Sequence, residues 1–167
     1  LYGKASPASL RKAADHLTPL YQAWIGAARF CVLSTIGPSR TDGSPRGGLG
    51  PVVRSQDDKT LLLPDWPCNN RLDNLRNIVE DGRISLMFMV PGADTVVRVN
   101  GHASLTTDPD LRASFSDNKG SPVCVIVITV QEFYIQCAKS IKRAALWQTR
   151  NAPLVPSLGQ ILNEATD

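Results

Sequence analysis

The 167-residue chain has only two histidines, His16 and His102, and four cysteines, Cys31, Cys68, Cys124 and Cys137, with no CxxC pair among them. A zinc site needs clustered ligands at paired spacing, so no metal site is expected. Three of the cysteines sit in strand-like apolar surroundings, where a thiol is a small hydrophobe. Cys68 lies in a loop with only Arg71 beside it to lower its pKa, which argues against a thiol enzyme. Aromatic residues are scarce at 6%, and Lys and Arg are scattered from Lys4 to Arg150 for a net charge of +3. A nucleic-acid surface interleaves aromatics with clustered cations, so nucleic acid is not an expected partner. The longest apolar run, VCVIVITV at 123–130, has strand length and falls short of a membrane helix. The opening stretch LYGKASPASLRKAADHL lacks the charged-then-apolar order of a signal peptide, and it lacks an initiator Met. The cytoplasm is the expected compartment, and the native N-terminus is not fixed by the sequence.

Catalytic arrangements are also sparse. STIGPS lacks the strand-Ser-helix context of a nucleophile elbow. SPRGGLGP has three glycines but neither the terminal Lys-Ser/Thr nor the following helix of a phosphate-binding Walker loop. The carboxylates form no obvious acid/base couple, and His102, beside Gly101, reads as a structural residue. No catalytic residue can be assigned, so any chemistry is expected to come from a cofactor.

What is present is a globular pattern, with 43% hydrophobic and 20% charged residues. One domain is expected over 1–167, with a barrel core at about 28–137 and helical flanks at both ends. Residues 8–16 and TPLYQAWIGAAR predict helices, the second capped by Thr18 with Pro19 behind it. Strands are predicted in FCVLSTI, PVVRS, KTLLLP, RISLMFMV, TVVRVNGHASLTT and PVCVIVITVQEFYIQC. GPSRTDGSPRGG reads as a loop or strand entry. DPDLRASFSD predicts a short helix and AKSIKRAALW another, while the amphipathic stretch from Ser157 is expected to fold over the body. Six strands joined mostly by hairpins predict a mainly β fold, an antiparallel barrel with flanking helices.

The segment PDWPCNNRLDNLRNI is the most informative. Pro64 and Pro67 stiffen the loop. Leu72, Leu75, Ile78 and Val79 then predict one apolar helical stripe, stopped by Gly82. On that reading Asn69 or Asn70 is the N-cap and Arg71 sits in the first turn. A cation is unfavourable at the positive end of a helix dipole. Something negative is therefore expected beside it, either a structural carboxylate or a bound anion such as phosphate.

The order of FCVLSTIGPSRTDGSPRGG, LLLPDWPCNNRLDNLRNIVEDGRISLMFMVPG and RVNGHASLTTD resembles the FMN-binding split barrels of the pyridoxamine 5′-phosphate oxidase superfamily, over about residues 20–148. The resemblance is greatest to its oxidase-related FMN-binding flavoproteins. It implies a six-stranded split barrel. It also implies a strand giving an arginine and backbone groups to the flavin, here Arg46 with Gly47 and Gly48, and a loop holding the FMN phosphate at the start of a helix. The matching loop residues are Asp65, Asn69, Asn70 and Arg71. The oxidase proper has an Arg-Lys pair where this chain has Asn70 and Arg71, and a C-terminal Arg-x-Glu-Phe-Trp motif that is missing here. Pyridoxamine phosphate oxidation itself is therefore not expected.

Dimers of this fold hold the flavin between subunits, so the resemblance implies a homodimer in which Lys139 and Arg143, one helical face with Trp147, reach the partner's cofactor. The implied function is a flavoprotein passing hydride or electrons through FMN to a small molecule or oxygen. The alternatives are a non-catalytic flavin or haem carrier or redox sensor, and a reductase using the deazaflavin F420.

Overall fold

A computed structural model of the chain describes residues 3, 4, 7, 13–118, 120–137, 139–148 and 155–166. Helix α1 (Pro19–Ala27) begins as the sequence predicts, with Pro19 in its first turn and the Thr18 hydroxyl accepting from Tyr21 N at 3.4 Å. Its Ile25 is buried, and Tyr21 stacks on Phe133 with ring centres 5.7 Å apart, so α1 packs on the barrel core.

The strands are β1 (Ala13–Ala14), β2 (Phe30–Ile36), β3 (Thr41–Gly47), β4 (Arg54–Ser55), β5 (Thr60–Asp65), β6 (Arg83–Met89), β7 (Thr95–Thr106) and β8 (Cys124–Cys137). All pair antiparallel in the order β3-β2-β6-β7-β8-β5-β4, with β1 added on β8. Helix α2 (Asp73–Glu80) joins β5 to β6, α3 (Pro109–Ala113) lies between β7 and β8, and α4 (Lys139–Ala144) and α5 (Leu158–Thr166) follow β8. The architecture is a mainly β split barrel with flanking helices.

Inward residues alternate along each strand: Cys31 and Leu33, Leu86 and Phe88, Val97 and Val99, Ile126 and Ile128, and Leu61 and Leu63 are all at most 1% exposed. The runs RISLMFMV and VCVIVITV look continuous in sequence because their outward positions, Met87 and Val127, are also apolar. Gly101 is required where β7 bulges against β8, since a Cβ there would overlap the Thr129 carbonyl oxygen.

Among the described residues the strands number eight, not six. TDGSPRG is poor in strand formers, yet it pairs with β2 from Thr41↔Ile36 to Gly47↔Phe30. Pairing with an established strand outweighs weak propensity, and Pro45 is tolerated because β3 is an edge. Ala13 and Ala14 pair with Phe133 and Tyr134 and are strand, not helix. Residues 8–12 of the predicted helix lie outside the described residues. Helix α4 ends at Ala144, so Trp147 is not on its face; its indole lies against Ile141 and Val96. Leu158, Ile161 and Leu162 of α5 are more than half exposed and do not cover the barrel.

Candidate functional site

The loop after β5, the start of α2 and the inward side of β3 enclose a pocket of about 500 Å3. That volume lies within the roughly 300–1,000 Å3 of small-molecule sites. Five of the candidate residues line it: Arg46, Asp65, Asn69, Asn70 and Arg71. Gly47, Gly48, Lys139 and Arg143 do not, and the Gly48 N–H is used on the Arg29 carbonyl at 3.1 Å.

Arg46 is the central cation. It projects from β3 on the side of Asp42 and Ser44, because side chains alternate along a strand. Its Nη1 donates to Asp65 Oδ1 at 2.6 Å and its Nη2 to Asn74 Oδ1 at 3.2 Å. Its Nε is buried and meets no acceptor among the described residues. Such an atom is costly unless something satisfies it.

The helix entry differs from the sequence reading. Helix α2 starts at Asp73, so Leu72 is its N-cap and no side chain caps it. Asn70 takes a left-handed conformation with φ 58°, and Asn69 Oδ1 accepts from Arg71 N at 3.1 Å, a local turn that ends before the helix begins. Neither asparagine is the cap, and Arg71 precedes the first turn instead of occupying it. The expected negative partner is a structural carboxylate: Arg71 Nε donates to Asp73 Oδ2 at 2.6 Å. This contact raises the guanidinium pKa and holds the Asp73 carboxyl below its ordinary value. An acid at the first helical position also suits the dipole.

The predicted apolar stripe of α2 is also displaced. Leu72 and Val79 are exposed, while Asn74, Asn77 and Ile78 are buried. The amides turn inward because polar groups await them. Asn74 Nδ2 and Asn77 Nδ2 both donate to Thr35 Oγ1, at 2.9 and 3.0 Å. Asn77 Oδ1 accepts from Arg40 Nε at 2.9 Å, and Asn74 Oδ1 also accepts from the Ser44 hydroxyl. Sequence reasoning missed Thr35, Arg40, Ser44, Asn74 and Asn77. The available signal was a pair of asparagines three apart inside a short helix, where they are poor helix formers.

The thiols of Cys31 and Cys124 are shifted toward their neutral forms. Burial pushes Cys31 up to about 12, and burial with the Asp65 charge raises Cys124. The lining offers guanidiniums, carboxylates and amides, and no imidazole. Such a wall is suited to orienting an anionic or polar ligand more than to protein-borne acid–base catalysis.

Residues 17–137 match the family model described as pyridoxamine 5′-phosphate oxidase. No curated protein matches the chain. Among solved structures, HupZ of Group A Streptococcus is similar with TM-score 0.60 and 18% identity over 73% of this chain and 95% of that one. The General Stress Protein 26 of Bacillus anthracis str. Sterne gives 0.51 and 17% over 68% and 89%. An FMN-binding protein from Syntrophomonas wolfei subsp. wolfei gives 0.50 and 15% over 68% and 82%. At these identities the solved structures speak to the fold, while the family match spans most of the chain. The chain belongs to the pyridoxamine 5′-phosphate oxidase family.

Proposed function

We propose that the chain is an FMN-binding flavoprotein that acts as an oxidoreductase on a small molecule or oxygen. The observation that carries this reading is Arg46: a guanidinium in the wall of a cofactor-sized pocket, bonded to Asp65 and Asn74 through one N–H of each Nη and with donors to spare. Family membership supports it, as does the fold likeness to a protein described as FMN-binding.

The residues fit a phosphate group. Arg46 and Arg71 are both in the lining, and α2 opens beside them without a side-chain cap, so its first N–H groups suit an anion. Against this, Asp42, Asp65 and Asp73 also line the pocket. A phosphate would share each guanidinium with a carboxylate already bonded to it. A guanidinium has five donors, which permits such sharing. On this reading Arg46 and Arg71 bind the phosphate, Asn69 and Asn70 shape the loop around it, and Trp66 flanks the pocket. Bound FMN would supply hydride or electron transfer.

The same reading makes the protein a homodimer. Ile36 and Met87 are exposed on the outer face of β2 and β6, where Met87 pairs with Val32. An obligate two-fold interface over that face would bury on the order of 2,000 Å2. Lys139 and Arg143 are exposed on α4 and do not line their own chain's pocket, so on this reading their cofactor contact would be with the partner's.

Titration with FMN, followed by flavin fluorescence, tests the reading together with the visible spectrum and light scattering of the loaded protein. The expected result is saturable binding by a dimer and a flavin that bleaches with a reduced nicotinamide. A protein that leaves FMN fluorescence unchanged is not a flavoprotein of this kind.

A further inference from the structure

We infer that Asn74 is a positioning residue for Arg46, set by a buried relay through Thr35 and Asn77, and that this relay makes the pocket prefer a phosphorylated ligand to its unphosphorylated analogue. The inference rests on the phosphate reading above and assigns the discrimination to residues behind Arg46, of which Asn74 borders the pocket and Thr35 and Asn77 do not.

The relay has a fixed polarity. An arginine can only donate, and one stands at each end. Arg40 Nε donates to Asn77 Oδ1 at 2.9 Å, so Asn77 must turn its Nδ2 toward Thr35. Arg46 Nη2 donates to Asn74 Oδ1 at 3.2 Å, so Asn74 likewise turns its Nδ2 toward Thr35. Thr35 Oγ1 has two lone pairs and accepts from both amides, which uses its acceptor capacity in full. Flipping either amide would set a donor against a guanidinium.

Burial makes that polarity matter. Thr35, Asn74 and Asn77 are 2%, 4% and 0% exposed, so water cannot replace a lost partner cheaply. The close approach is built in at Gly37, where a Cβ would overlap Asn77 Oδ1. Arg46 is therefore gripped on two of its nitrogens, by Asp65 on Nη1 and by the relay on Nη2. This fixes the plane of the guanidinium and leaves a second N–H on each Nη for the ligand. A planar fork recognises phosphate through its orientation, so a guanidinium held in one plane gains more from a phosphate than a mobile one.

The experiment compares FMN with riboflavin, which carries the same rings without the phosphate. Affinities are read by fluorescence titration, with thermal melts alongside, for the parent, Asn74→Ala, Thr35→Val and Thr35→Ser. In the parent FMN should bind more tightly than riboflavin. Asn74→Ala should lower the FMN-to-riboflavin affinity ratio about tenfold, the scale of a hydrogen bond to a charged group, with riboflavin affinity unchanged. Thr35→Val should lower the ratio less, and Thr35→Ser, which keeps the hydroxyl, should restore it. A merely structural role would lower the melting temperature and weaken both ligands together. An unchanged ratio in Asn74→Ala overturns the relay while leaving the phosphate reading intact. Should Asn74→Ala not fold, equal ratios for the two Thr35 variants overturn it in the same way. Equal affinities for FMN and riboflavin in the parent overturn the phosphate reading, and the relay's purpose with it.

Discussion

Two helices are seated on this barrel in opposite ways. Helix α2 meets β2, β3 and the turn between them through two amides, a threonine and two arginines; the amides and the threonine are buried and the arginines half-buried. Helix α4 is held by Ile141 against Val96 and Met89, with Trp147 beside it and its indole Nε1 donating to the Ala93 carbonyl at 3.0 Å. Apolar packing is non-directional and tolerates small shifts, whereas each hydrogen bond of the α2 seam has one permitted direction. The directional seam is the one that borders the pocket. On the proposed reading, orientation is maintained where a ligand is to be read, and simple burial serves where a helix must only be held.

Changes at the two seats should therefore part company in a binding measurement. The largest effect is expected for Arg46→Met, which removes the cation bonded to both Asp65 and Asn74. FMN affinity should fall about a hundredfold, roughly 3 kcal/mol, in a fluorescence titration. Arg71→Ala should cost less, because Arg71 is 78% exposed and already bonded to Asp73. A larger loss at Arg71 than at Arg46 would reverse the assignment of the central cation.

Gly37→Ala comes next. The new Cβ would press on Asn77 Oδ1 and push α2 off its seat. A stability loss of about 2 kcal/mol in urea denaturation is expected, accompanied by weaker FMN binding. Trp147→Phe, at the other seat, keeps the ring and loses its bond to Ala93. It should cost about 1 kcal/mol and leave FMN affinity as it was. If Trp147→Phe altered FMN binding as much as Gly37→Ala, the contrast between the two seats would not hold.

The smallest effect is one of pH at the far end of α2. Asp81 is lowered from 3.8 to about 2 by its hydrogen bonds with Arg83. A depressed carboxyl pKa stabilises the fold above the unfolded value of 3.8, and that contribution fades as pH falls through about 2. Asp81→Asn should show a slightly shallower acid dependence of melting temperature over that window than the parent. A steeper one would contradict the sign.

Local chemistry explains what the sequence made legible. The turn after β6 follows from Pro91 and Gly92, whose φ is 82°, and α2 stops at Gly82 with φ 84°. Helix α3 starts where Asp108 precedes Pro109, and the carboxylate accepts from Leu111 N at 2.7 Å. The barrel and the pocket loop followed from the order of such pieces and from family resemblance. Residues whose role depends on distant partners were not legible. Strand β3 exists because β2 offers it an edge, and Asn74 and Asn77 face inward because Thr35, some 40 positions earlier, is waiting for them. Arg71 was read correctly as needing an anion, yet nothing local decided between phosphate and Asp73.

The strand order also bears on how the chain acquires its shape. Strand β5 lies between β4 and β8, with Thr60 paired to Thr129 and Asp65 to Cys124. Strand β8 is the last strand among the described residues, and through it β1 and the β4–β5 hairpin join the rest of the sheet. The hairpins β2–β3 and β6–β7 can form early from near neighbours, but closing β5 onto β8 spans more than half the barrel's sequence. Non-local closure of this kind is slow, in the millisecond-to-second range for β-rich domains. Asp65, which faces Arg46, takes its place only at that step. The pocket is thus among the last features to assemble, and a ligand that needs it recognises only chains whose final strand has already docked.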